Sequence, residues 1–383
     1  MPADAGAAPL PGEEIAVSLS LVRHRVAAVR IAGRRLPPVA RLAAGRDGAV
    51  AAAMLGRLFT LCAHAQAAAL RTAAAAARGE ARADGRPDGA TGAILTERMM
   101  ELLRGTLVAL AGPAWTGFAP ALRALAAACR GFEAPALSPV APLSPAASRS
   151  AIAAIADGLA ALGLPAGVVA DPADFRRWLG SDAALPALLR PLADPADDPP
   201  APAPDALGPR DDVAVAAALE ADPDFARAPR LAGRVPETGP LARNHAHPVI
   251  AAAGHGVFAR FVARLIDIAE TPRRLQALTD DPASSSDLVT ATPLGPRRGL
   301  AAVECARGRL YHLVTLDAAG RIARLDMLAP TEWNFHADGP LARALIGRTL
   351  DAESANRRRI GWLLSAFDPC VAHRLEIVET ADA

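Results

Sequence analysis

The chain is poor in cysteine, in net charge and in apolar runs long enough for a membrane, and each shortage closes off a class of protein. Four cysteines, Cys62, Cys129, Cys305 and Cys370, lie far apart among 383 residues, with no C-x-x-C pair. A chain this long needs no disulfide framework, so reduced thiols in a cytoplasmic setting are expected. Lys+Arg total 41 against 40 Asp+Glu. That balance leaves no global basic field to attract nucleic acid or an anionic membrane, and neither is expected as a partner. The stretch from Gly105 to Leu122 is uncharged and approaches the ~20 residues a membrane span needs. Gly112-Pro113 and Pro120 interrupt it and Arg104 and Arg123 bracket it, which predicts two short buried helices joined at Gly112-Pro113. Met-Pro-Ala-Asp at the N-terminus lacks a basic region followed by an apolar one, so no signal peptide or twin-arginine leader is expected. No internal repeat is visible.

What is present is apolar bulk, 52% of the residues, enough for a large packed interior. Arginine supplies the positive charge and alanine much of the apolar count. Residues 13–36 read as two strands around a turn at Arg23-His24-Arg25. An alanine-rich helical pattern covers 50–78, and others cover about 94–111, 118–131, 148–163 and 249–279. Pro- and Ala-rich loops separate them, especially 133–147. Seven prolines in 190–211 predict an extended, mobile linker. Val303 to Leu316 and Arg321 to Leu328 read as strands joined by a hairpin turn at Asp317-Ala-Ala-Gly320. The tail, about 354–378, returns to helix with a break near Asp368-Pro369.

Four segments carry chemistry in a fixed order. The first is Gly45-Arg46-Asp47, then Arg57-Leu-Phe-Thr-Leu-Cys62-Ala-His-Ala-Gln66. The second is Gly239-Pro-Leu-Ala-Arg-Asn244. The third is Glu304-Cys-Ala-Arg-Gly308, with Tyr311-His312 and then Pro330-Thr-Glu-Trp-Asn334. The fourth is Ala366-Phe-Asp-Pro-Cys370-Val-Ala-His373-Arg-Leu-Glu376. Together they resemble the nickel–iron hydrogenase large subunit, whose patterns are R-x-C-G-x-C-x-x-x-H, E-A-P-R-G, P-T-x-W-N and S-F-D-P-C-x-x-C-x-x-H. The resemblance covers roughly 13–70 and 235–378. It implies an α+β, mainly helical fold: one domain over 1–383, with a central helical bundle and small β elements near both ends. Its parts would be an N-terminal β/helix portion (13–70), a helical middle (71–234) and a C-terminal portion (235–378).

The departures define the expected function. In the family, four thiolates hold nickel, and the second cysteine of each motif also bridges to iron. Here Phe59 and His373 stand where two of those cysteines belong, and Gln66 and Glu376 where the histidines belong. Cys62 remains at a bridging position and Cys370 at a nickel-terminal one. Two thiolates do not build a soft tetrathiolate nickel site, so neither nickel nor hydrogen turnover is expected. The iron side is kept. In the family, iron carries two cyanides and a carbon monoxide, and the cyanide nitrogens need hydrogen-bond donors in a dry pocket. Arg307, Pro330 and Thr331 occupy the cyanide-facing positions.

This combination resembles the accessory proteins of the HupK/HoxV type. It implies a maturation factor that holds the Fe(CN)2(CO) fragment transiently on Cys62 and Cys370. His373 is either a substitute ligand or a polar filler of vacated space. Cys129 and Cys305 are read as structural, although Cys305, two residues before Arg307, could line the same pocket. Implied partners are the pathway's small chaperone and iron-loading machinery and a hydrogenase large or small subunit. The competing reading is a metal-free chaperone that mimics the large subunit to protect the small subunit or its iron–sulfur clusters. The two differ in whether Cys62, Cys370 and Arg307 converge.

Overall fold

The computed structural model describes residues 14–32, 39–80, 90–133, 144–194, 201–281, 284, 287–350 and 354–379. β1 (Ile15–Val22) and β2 (Arg25–Ala32) come first. They are followed by α1 (Val39–Ala43), α2 (Gly48–Leu58), α3 (Ala63–Ala77) and α4 (Ala90–Ala111). The middle holds α5 (Ala119–Cys129), α6 (Pro145–Ala161), α7 (Pro172–Leu179), α8 (Ala184–Leu189) and α9 (Asp212–Ala221). Then come α10 (Pro240–Asn244), α11 (Pro248–Ala253) and α12 (Val257–Asp280). β3 (Val289–Pro293), β4 (Arg298–Cys305), β5 (Gly308–Leu316) and β6 (Ile322–Leu328) precede α13 (Pro330–Asn334), α14 (Pro340–Leu345), α15 (Ser354–Ala366) and β7 (His373–Glu379).

β1 alternates strictly, with Ile15, Val17, Leu19 and Leu21 buried, as a strand with one covered face must. It pairs antiparallel with β2 through Arg23 and His24, both at positive φ, the geometry of a tight two-residue hairpin. Its other edge pairs in parallel with β7, Ile15 opposite His373 and Ser18 opposite Glu376. The helical expectation for the tail thus holds only to Ala366. Beyond it, His-Arg-Leu-Glu-Ile-Val-Glu is strand, because the open edge of β1 supplies a partner that local sequence cannot reveal.

The second sheet runs β3-β4-β5-β6, antiparallel throughout. The single strand expected over 303–316 is two, reversing at Ala306-Arg307 with Cys305 opposite Gly308. The turn at Asp317 forms as expected: its carboxylate accepts from Ala319 N and Arg321 N, both at 2.9 Å. α3 lies directly on β4. A Cβ on Gly299 would collide with Ala73 O and Ala77 N, so the alanines of 73–77 permit a backbone approach that larger side chains would block.

Two long helices of the sequence reading are broken. The 50–78 pattern divides at Phe59–Cys62, where Cys62 adopts a left-handed conformation, φ 52°. The 249–279 pattern divides at Gly254, φ 82°. Gly105–Leu122 is the end of α4, a 3-10 turn over Gly112–Phe118 and the start of α5. The turn is largely exposed, so the pair is less buried than expected. No described helix is long and apolar enough to cross a membrane. The linker expectation fails over 201–211: Leu207 is buried, its N–H bonds Glu237 O at 2.8 Å, and Asp211 is buried. Residues 195–200 of that stretch, and most of the 133–147 loop, lie outside the described residues.

Candidate functional site

Arg307 sits at the tip of the β4–β5 hairpin, and the neighbouring chain is shaped around that tip. Gly308 has φ 130°, and a Cβ there would overlap Thr238 Oγ1 and Gly239 N. Gly239, φ 115°, in turn abuts Arg307 O. Asn334 clamps the same strip, accepting from Thr238 N at 3.0 Å and donating to Thr238 O at 2.9 Å. From beneath, Arg243 pairs with Asp267 at 2.6 Å and Glu304 at 3.0 Å and donates to Cys305 O at 3.1 Å. The second and third sequence motifs are therefore the two halves of one support.

The Arg307 side chain is 5% exposed. Its Nη1 donates to Glu101 Oε2 at 2.5 Å, and its Nε lies 3.9 Å from Asp368 Oδ2. Burial opposes its charge, but Asp368, Glu101 and the Cys62 and Cys370 thiols reverse this and hold its pKa well above the ordinary arginine value. Glu304, a candidate partner for it by sequence, is taken by Arg243 and Arg309.

Cys62 caps α3 without a side-chain bond. The amides exposed at a helix start still need acceptors, and α4 provides them. Glu97 accepts from His64 N at 2.8 Å and Ala65 N at 3.0 Å, while Glu101 accepts from Cys62 N. Glu101 thus ties the backbone of Cys62 to the guanidinium of Arg307. Burial, then Glu101, push Glu97 up to about 8. Burial, then Cys305 and Glu101, raise the Cys62 thiol well above its ordinary range, with Arg307 pulling the other way. Burial likewise pushes Cys305 up to about 12.

Cys370 follows α15 and is half-buried. Thr331, behind Pro330 in the first turn of α13, donates its hydroxyl to Cys370 Sγ at 3.3 Å. Asp368, at φ 51°, lies between Arg307 and Arg264, whose Nη2 is 3.8 Å from Asp368 Oδ1. Several buried polar atoms here have no hydrogen-bond partner among the described residues: Arg307 Nε, Arg264 Nε and Nη1, and Asp368 Oδ2. Native interiors rarely leave such groups unsatisfied, and a cluster of them marks a place for a polar guest.

Cys62, Cys370, Arg307 and Thr331 are therefore gathered in one region, with Pro330 starting the helix that presents Thr331. Cys305 joins them through its influence on Cys62. His373 is exposed at the start of β7, paired to Ile15, and none of the cluster's bonds described above reaches it. Gln66 is turned away and accepts from His312 Nε2 at 2.7 Å. Among the described residues, no three His, Cys, Asp or Glu side chains are grouped to hold a bare metal ion. Sequence reasoning missed Glu97, Glu101, Arg264 and Asp368. The signal for the first two was a pair of carboxylates four residues apart among the apolar residues of one helix; Asp368 lay unused inside a quoted motif.

A large-subunit-type hydrogenase fold with two thiols clustered beside a buried arginine is what these elements define, and comparison with known proteins places the chain more closely. Solved structures of the Ni-Fe-Se hydrogenase from Desulfomicrobium baculatum (TM-score 0.57, 13% identity, 92% of this chain and 95% of that one) and of an NAD+-reducing nickel–iron hydrogenase (TM-score 0.54, 17%, 91% and 93%) share the fold. The hydrogenase expression/formation protein HupK of Bradyrhizobium diazoefficiens is 36% identical, covering 97% of this chain and 98% of its own. HupK of Rhizobium leguminosarum bv. viciae is 34% identical, covering 96% and 98%. HoxV of Cupriavidus necator is 34% identical over 43% of this chain and 44% of its own. No protein-family profile matches. The chain belongs to the HupK family of hydrogenase expression/formation proteins.

Proposed function

We propose that this hydrogenase-maturation protein carries an iron fragment bearing cyanide and carbon monoxide, Fe(CN)2(CO), before its delivery to a hydrogenase large subunit. The observation that carries this reading is the Arg307 guanidinium, buried within electrostatic reach of both Cys62 and Cys370, with an Nε–H that has no partner among the described residues. A cyanide nitrogen accepts hydrogen bonds, and burying it without a donor costs about 1–3 kcal/mol. Arg307 Nε is a donor of the required kind, and the Thr331 hydroxyl, which donates to Cys370 Sγ here, would turn to the fragment once that thiol binds iron; both stand beside thiols that suit a soft iron centre. The fragment brings three carbon ligands of its own, so it asks for fewer protein ligands than a bare ion. Two thiols where the hydrogenases' motifs carry four favour an accessory role over hydrogen turnover. Loading requires the Cys62 thiol to lose its proton, and the burial that raises its pKa favours getting that proton back on hand-off.

The test is infrared spectroscopy of the protein purified without oxygen from cells making the whole maturation pathway. Iron-bound cyanide and carbon monoxide absorb where ordinary protein does not. Bands in the wild type that vanish in Cys62→Ala support the carrier. Their absence from fully co-expressed wild-type protein would overturn it in favour of a metal-free chaperone mimicking the large subunit.

A further inference from the structure

We infer that a second site, an arginine-lined cleft next to the thiol cluster, is the seat for an acidic segment of a partner protein. The cleft has a volume of about 810 Å³, at the upper end of ligand sites. Among the described residues, seven arginines line it against three acids, Asp205, Glu237 and Asp338. They come from four separate parts of the fold: the start of β2 (Arg25), residues 230–260, α14 with the chain just after it, and α15. The chain contains no lysine, so every side-chain cation here is a planar guanidinium fork, suited to bidentate carboxylate binding. The chain already uses that match inside the cleft, pairing Arg230 with Asp338 and Arg234 with Asp205.

Two observations favour a peptide over a nucleotide or polyphosphate. The lining includes the exposed aliphatic side chain of Ile346, which suits an apolar residue of an acidic segment. Phosphate sites commonly add backbone amides to their arginines, and here Pro340 in the first turn of α14 and Pro202 and Pro204 in the 201–205 wall each remove one. Proline has no N–H to give.

The cleft also has a place relative to the thiol cluster. Glu237 and Arg260 line both the cleft and a water-sized cavity bounded by Arg307, Phe367 and Asp368. These two residues form a buried bidentate pair, Arg260 Nε to Glu237 Oε1 at 3.0 Å and Nη2 to Oε2 at 2.7 Å. A segment seated in the cleft would lie one ion pair away from the Arg307 pocket. The site deepens the carrier reading by giving a protein partner a seat, but its test reads peptide binding alone. Either proposal can therefore fail while the other stands.

The experiment titrates the full chain with a fluorescein-labelled oligoglutamate peptide followed by anisotropy. Saturable binding that weakens with added salt is expected. Arg25→Glu and Arg230→Glu should each weaken it at least about ten-fold, whereas Arg177→Glu, exposed on α7 outside the cleft, should not. Hydrogen exchange should show protection at 201–205 and 343–350. If a charge reversal does not fold, Arg25→Gln and Arg230→Gln read the same loss. The proposal is overturned by no saturable binding, by equal weakening in Arg177→Glu, or by tripolyphosphate binding more tightly than the peptide with the same protected segments.

Discussion

Arg307 and Glu101 are 206 positions apart in the chain and meet in a 2.5 Å ion pair, both side chains under 10% exposed. The same carboxylate accepts from Cys62 N. One residue of α4 therefore fixes both the cation of the pocket and the backbone of its first thiol. Removing one partner of a buried pair strands the other charge, so Glu101→Leu or Arg307→Met alone should cost about 3–5 kcal/mol. The double variant should lose clearly less than the sum. Urea unfolding of the four proteins in the cycle measures this, and strict additivity would show that the pair does not act as one unit.

The tip of the hairpin gives a sharper steric test. Gly308→Ala places a methyl inside Thr238 and holds alanine at φ 130°, a conformation L-residues avoid. A loss of about 2–4 kcal/mol is expected, seen as a lower melting temperature. Gly320→Ala, also at positive φ but with open space around it, should cost less.

Acid should reach the fold through His312. Burial holds its pKa at about 3, below the ordinary 6.5, so the folded state binds fewer protons than the unfolded chain between those values. Stability from this group is complete above about 6.5 and is lost as pH falls toward about 3. Urea midpoints at pH 7 and pH 4 should therefore differ more for the wild type than for His312→Gln. Equal differences would remove His312 as the cause.

Thr331→Val keeps the shape and deletes the donor to Cys370 Sγ. It should cost only about 1 kcal/mol in stability while shifting or abolishing any cyanide bands in the infrared spectrum. Unchanged bands would mean that Thr331 does not face the iron fragment.

The resemblance to the hydrogenase motifs singled out Cys62, Arg307, Thr331 and Cys370 in advance, and turn and helix-start residues beside them marked where the chain bends. Proline starting α13 and glycine following Arg307 are local requirements, readable locally. Glu101, Arg264 and β7 were not legible for the converse reason. A carboxylate on the buried face of a helix reveals that it has a partner but not which one. Similarly, His373–Glu379 becomes strand only because β1 has an edge to fill. The break at Cys62 was hidden by the alanine-rich stretches on either side of it, whose helix propensity masks a position that α4 carboxylates hold in a left-handed turn.

The parallel pairing of β1 with β7 joins Ser18 to Glu376 across 358 positions. During synthesis β1 emerges early, but it must wait with a bare edge until nearly every other described residue has been made. Cys370, three residues before β7, is equally late. The thiol cluster therefore cannot close until Cys370 and β7 have been made, and whatever it receives arrives only then. Until then, a partner able to shield that edge would spare the unfinished protein from strand-to-strand aggregation.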